Sequence, residues 1–149
     1  MQALTFTVSD VPIGVDIVDV VEAVRAVAIS PLPGAPKVIE GLIDFRGTIV
    51  PVFDLRLRLL GAHADIVPEH HLIVASAAGR TVALHVDTVT GLVDLDAAAI
   101  APAASQTQHI AGVASLPDGL LLIHDLTTFL SAAEQDSLDT ALADIAIAS

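Results

Sequence analysis

The sequence predicts a mainly β protein built from two similar β units around a shared aliphatic core, with short helices and a C-terminal helix. Three observations lead there. The apolar pattern alternates at period two, as half-buried strands do: Leu4, Phe6 and Val8, then Val11, Ile13, Val15 and Ile17. The chain matches itself when shifted by 71 residues. Ala, Leu, Val and Ile supply 75 of its 149 residues, against four Phe and no Trp or Tyr. A chain of this length buries about 70% of its unfolded surface, enough for a core of that composition.

The elements follow in order. Leu4–Val8 and Val11–Ile17 read as paired strands across a turn at Ser9-Asp10. Pro31, Pro33, Gly34 and Pro36 mark a turn-rich stretch. Pro36 through Leu42 fits a short helix with Pro at its start. Thr48–Leu55 is an apolar strand whose Pro51 points to an edge or a bulge. Asp54 suits the cap of a helical turn through Leu60, ended by Gly61. Leu72–Ala75, Arg80–Val89 and Leu120–Ile123 are further strands. Ser131 with Glu134 is a capping-box pair, and Leu138, Leu142 and Ile145 recur at helical spacing, so 132–149 reads as an amphipathic helix laid on the body.

The repeat carries the organisation. At the 71-residue offset Val11/Val82, Val15/Val86, Asp16/Asp87, Val18/Val89, Ile39/Ile110, Gly41/Gly112, Asp54/Asp125, Leu55/Leu126 and Leu59/Leu130 are identical. Apolar matches come easily in so aliphatic a chain; Asp and Gly matches in the same frame do not. Residues 1–131 therefore read as one body with β units over about 3–60 and 72–131, favouring two small barrels or sheets packed together.

Composition excludes several functions. The net charge is −12 with six cations in all, which opposes binding to a phosphate backbone. Zero cysteines exclude disulfide scaffolds and thiolate-held metals. The mean hydropathy is +0.75, too apolar for a disordered chain. Charges recur too often for a membrane span, and the first ten residues carry no cation, so a cytoplasmic protein without direct membrane insertion is expected.

Chemistry-bearing motifs are sparse. Phosphate-loop, dinucleotide and nucleophile-elbow patterns are absent. His63 with His70 and His71, near Asp65 and Glu69, is a conceivable metal or small-ligand loop, against the plainer reading of a polar surface loop. His85-x-Asp87 places imidazole and carboxylate on one strand face, the arrangement of a base and its orienter or of an exposed face. His124 stands where the first unit has Phe53, and Asp125 where it has Asp54, which suggests turn capping. No catalytic residue, cofactor or metal is assigned, and a binding module is favoured over an enzyme.

Val38–Gly61, VIEGLIDFRGTIVPVFDLRLRLLG, resembles the signature of CheW-like domains, above all in Arg46-Gly47, Pro51 and Asp54-Leu55. Ile13–Ile17 with Val20-Val21-Glu22, the proline turn at 31–36, Gly79–Val89 and Asp118–Leu126 are similar to the same family on either side. The resemblance implies two five-stranded SH3-like barrels and a non-enzymatic adaptor. Such an adaptor couples chemoreceptor cytoplasmic tips to the regulatory domain of a CheA-type histidine kinase. Matched by position, it implies Val20, Glu22, Gly41 and Arg46 as partner-binding residues. A local alternative for Arg46 is an ion pair with Asp44 or Asp54. Asp44 replaces the family's usual Asn, and Ile13 its usual aromatic.

Overall fold

A computed structural model describes residues 1–77, 79–102 and 109–148. Eleven strands are seen among them: β1 (Gln2–Val8), β2 (Val11–Asp16), β3 (Val20–Arg25), β4 (Ile39–Phe45), β5 (Thr48–Asp54), β6 (His71–Ala77), β7 (Arg80–Val86), β8 (Thr88–Asp94), β9 (Ile100–Pro102), β10 (Ile110–Leu116) and β11 (Gly119–His124). Helix α1 covers Leu55–Leu60 and α2 covers Ala132–Ala148. The fold is mainly β, as the alternation predicts.

The strands form two sheets, ordered β8-β1-β2-β11-β10-β9 and β3-β6-β7-β5-β4. The 71-residue offset maps one onto the other: β3 to β8, β1 to β6, β2 to β7, β4 to β10 and β5 to β11. Each sheet joins a parallel pair, β5 with β7 and β11 with β2. Neither half of the repeat is a sheet alone. The β1–β2 hairpin pairs with strands of the second half, and β6–β7 with strands of the first. This exchange of hairpins interlocks the two halves of the repeat.

Among the described residues, three cores follow from the arrangement. The largest lies between the sheets, where Phe6, Ile13 and Val15 of one meet Ile73, Val82, Leu84 and Phe53 of the other. A smaller one inside the β4–β5 sheet holds Ile43, Val50, Val52 and Val74. Its repeat counterpart holds Ala114, Leu121, Ile123 and Ala3. β7 shows why both faces of a central strand must be small and apolar: Val82 and Leu84 face the shared core while Ala83 faces the inner one.

Local chemistry fixes the ends of elements. The Asp54 side chain accepts from Leu57 N–H at 3.0 Å, and Gly61 closes α1 in the left-handed region at φ 75°. Ser131 and Glu134 exchange both capping-box bonds, at 2.9 and 3.1 Å, ahead of α2. Leu138 and Ala141 sink into the shared core, so α2 packs on its own body. Arg58 to Glu134 and Arg80 to Asp139 pin the helix from either side. Ser149 lies outside the described residues.

Two expectations are corrected. Pro36 through Leu42 is no helix: a turn, with Ile39 N–H donating to Pro36 C=O at 2.9 Å, leads into β4. Pairing of β4 with β5 overrides the short helical pattern. β5 is also not an edge strand, since it lies between β7 and β4. Pro51 is tolerated because its partner Leu42 turns both backbone groups the other way, to Ser30, at 2.7 and 2.9 Å. No N–H is needed from the residue opposite. The β5–β7 ladder then begins one residue later, at Val52.

Candidate functional site

Arg46 and Gly47 are the two central residues of the β4–β5 hairpin, both at positive φ (52° and 82°). That is the type I′ geometry demanded by a two-residue hairpin. Asp44 stabilises it by accepting from Gly47 N–H at 2.7 Å. The turn lifts the Arg46 side chain out of the sheet, 68% exposed, over the Phe45 ring at 4.9 Å. Its ion-pair partner is Glu22 of β3, not Asp44 or Asp54. β3 and β4 are the two edges of one sheet, so this pair spans the opening between them.

The backbone closes that opening nearby. Ser30, in the segment after β3, exchanges both hydrogen bonds with Leu42 of β4. Gly41 sits beneath this contact, where a Cβ would stand 2.1 Å from Ser30 O. β9 makes the equivalent closure in the second sheet, against Gly112 and Val113. The repeated glycine thus marks a crossing of strands, and Gly41 is buried.

Val20 is half-buried and packs on the shared core. A bulge between Val20 and Glu22 turns Val21 outwards, 57% exposed, and Val18 just before β3 is 80% exposed. The edge of β3 therefore presents an apolar ridge beside a solvent-exposed charge pair. Of the four residues, Glu22 and Arg46 meet, Val20 packs on the shared core two residues before Glu22, and Gly41 lies against Ser30 and Ile29.

The histidine readings come out differently. His63, His70 and His71 do not converge. The His70 ring meets His85, with Nδ1 2.7 Å from Nε2. His63 instead faces Asp54 at 2.5 Å and Asp65 at 3.0 Å. His85 and Asp87 also part company. His85 Nδ1 lies 2.6 Å from Glu40 Oε1, while Asp87 pairs with Arg56 and accepts from Ser9 N–H at 2.7 Å. A polar string thus runs from Glu40 through His85 and His70 to Asp87, Arg56 and the Ser9 turn. His63 and His70 shift in opposite directions. The hydrogen bond to Asp54 raises the His63 pKa, while burial and the neighbouring His85 lower that of His70. Glu40 was not singled out by sequence; a lone carboxylate inside the apolar run 38–43 was the available signal.

Comparison with known proteins bears on the whole chain. Residues 2–134 match the model of the CheW-like domain. The chain belongs to the CheW-like family. CheW-like relatives include the chemotaxis protein CheW of Klebsiella aerogenes, 28% identical over 93% of this chain and 86% of the relative. Protein FrzA of Myxococcus xanthus is 34% identical over 72% of this chain and 70% of its own. Among solved structures, the scaffolding protein TtCheW of Thermoanaerobacter tengcongensis superposes with a TM-score of 0.81 at 28% identity, covering 89% of each chain. Membership of the CheW-like family makes this chain a chemotaxis-type adaptor, a scaffold and not an enzyme. Among the described residues, no helix is long and apolar enough to cross a membrane.

Proposed function

We propose that the chain couples chemoreceptor cytoplasmic tips to the regulatory domain of a CheA-type histidine kinase, on the cytoplasmic face of receptor arrays. The observation that carries this reading is the exposed Glu22–Arg46 pair beside the apolar ridge of β3, at the positions that the CheW-like signature picks out. Val20 with its neighbours Val18 and Val21 supplies apolar contact. Glu22 and Arg46 supply charge selectivity, and Gly41 shapes the strand crossing that holds them. An exposed ion pair adds little to stability, so its members are free to exchange partners. The charge pair also suits steering and specificity better than bulk affinity. Those are the needs of an adaptor that must release.

The test is titration of the full chain against a kinase regulatory domain and a receptor-tip fragment. Arg46→Glu is expected to weaken at least one of the two by tenfold or more. Its melting temperature should stay within about 2 °C of the parent, as for an exposed site. Unchanged affinity for both fragments would remove Arg46 from the site. Absence of binding by the parent chain to any such fragment would remove the coupling function.

A further inference from the structure

Among the described residues, one set of ligand-type side chains converges: Glu40 of β4, Asp54 at the end of β5 and His63 just after α1 bring their donor atoms within 4.8 Å of one another. We propose that these three residues form a binding site for a divalent transition-metal cation of the Zn2+ type, separate from the coupling surface.

The first argument is charge. The Glu40 and Asp54 side chains are only 7% and 2% exposed, and both face the same nitrogen, His63 Nδ1, at 4.0 and 2.5 Å. Asp54 has the His63 imidazole and Glu40 that of His85, and a dication between the two carboxylates would meet both at once.

The second argument is orientation. Ligands of a working metal site are held by outer hydrogen bonds. Here each one is. Asp54 Oδ1 accepts from Leu57 N–H at 3.0 Å, which leaves Oδ2 for the site. His63 Nε2 lies 3.0 Å from Asp65 Oδ1, the carboxylate–imidazole partnership that leaves Nδ1 to ligate. Glu40 is steadied by His85 Nδ1 at 2.6 Å.

The third is geometry and access. A tetrahedral ion with bonds of about 2.0–2.1 Å sets its ligand atoms roughly 3.3 Å apart. The observed 2.5 and 4.0 Å lie on either side of that value. A shift of under about 1 Å by the half-exposed His63 ring equalises them. A cleft of about 640 Å³, lined by Glu40, His63 and Asp65 over Ile29, Ile39 and Ile66, opens onto the site and leaves room for a water as fourth ligand. Lys37 at the same cleft opposes a cation and limits affinity. Two oxygens and one imidazole nitrogen favour Zn2+, Co2+ or Ni2+ over Mg2+ and Ca2+, which prefer all-oxygen shells. A ligating Nδ1 carries no proton, so the ion takes the place of whatever proton lies between His63 Nδ1 and Asp54 Oδ2.

The experiment is calorimetric titration of the chelator-stripped full chain with ZnCl2 and, separately, MgCl2. One zinc site is expected, with no magnesium heat. The melting temperature should rise by about 5–10 °C once free zinc reaches ~100 times the dissociation constant. His63→Ala and Glu40→Gln should each weaken zinc binding tenfold or more, whereas His71→Ala should leave it. His63 is half-exposed, so its variant decides the matter even if Glu40→Gln fails to fold. No zinc heat in the parent, or parent-like affinity in His63→Ala, overturns the site. Either result leaves the coupling reading untouched, since no residue of that surface is a ligand.

Discussion

Gly41→Ala is expected to destabilise the fold by about 3 kcal/mol or more, and Gly112→Ala by only about 1–2 kcal/mol. The two glycines are repeat equivalents, so the contrast tests the strand crossing itself. At Gly41 an added Cβ would stand 2.1 Å from Ser30 O and 2.8 Å from both Ser30 C and Ile29 Cγ2. The first of these is a backbone oxygen that accepts from Leu42 N–H, in a residue whose own N–H donates to Leu42 C=O. Nothing there gives way without undoing the closure of the sheet. The φ of 157° adds conformational strain for any residue with a Cβ. At Gly112 a Cβ would stand 2.7 Å from Ile100 Cγ2 and 2.8 Å from the backbone Ala101 O, so β9 must also shift, but by less than a 2.1 Å approach demands, and no positive φ adds strain there. Urea unfolding of the two variants measures the difference as a shift in midpoint. A Gly41→Ala chain within 1 kcal/mol of the parent would show the crossing to be plastic. The same reasoning makes Gly41 a supporting residue: loss of partner binding in this variant would travel through the fold.

Much of the architecture is legible because repeats and alternation are local signals. The 71-residue frame places β4 on β10 and β5 on β11, down to the bulges at Ile39/Gly41 and Ile110/Gly112. Asp54, Gly61, Ser131 and Glu134 are read correctly as caps because capping depends on neighbours three or four residues away. What is not legible depends on pairing across long separations. That β1–β2 joins the second-half strands is decided by burial against a core assembled from both halves. Pro51 misleads for the same reason, since its freedom from an N–H bond comes from Ser30, twenty-one residues earlier. At the surface, Arg46 and Glu22 are each visible in the sequence. Their pairing is not, because it needs the two edges of a sheet to face each other. The His63 loop shows the opposite failure. Sequence proximity groups it with His70 and His71, while the fold gives it Asp54 and Glu40.

Replacing His124 by Leu is expected to leave the chain at least as stable at pH 7 and markedly more resistant to acid. His124 is 3% exposed at the end of β11, and neither ring nitrogen finds a hydrogen-bond partner among the described residues. Its repeat counterpart, Phe53, is a wholly buried ring packed edge-on against Phe129 at 4.9 Å. A histidine therefore occupies a position the fold built for an apolar side chain. Burial pushes its pKa down to about 4, and the nearby His109 adds to the shift. The sign follows from proton binding. Between about pH 6.5 and 4 the unfolded chain holds this proton and the folded chain does not. Stability is therefore lost as the pH falls through that window. A depression of that size corresponds to about 3 kcal/mol in all. Burial of His70 works in the same direction, whereas the His63–Asp54 bond works against it, being strongest while His63 is protonated. His124→Leu removes the largest of these contributions without touching the other two. Unfolding midpoints of parent and variant, measured from pH 7 down to pH 4, should diverge steadily, with the parent falling faster. Parallel curves would mean that His124 finds its proton in the folded state as easily as in the unfolded one. Its burial at the Phe53 position would then carry no electrostatic penalty.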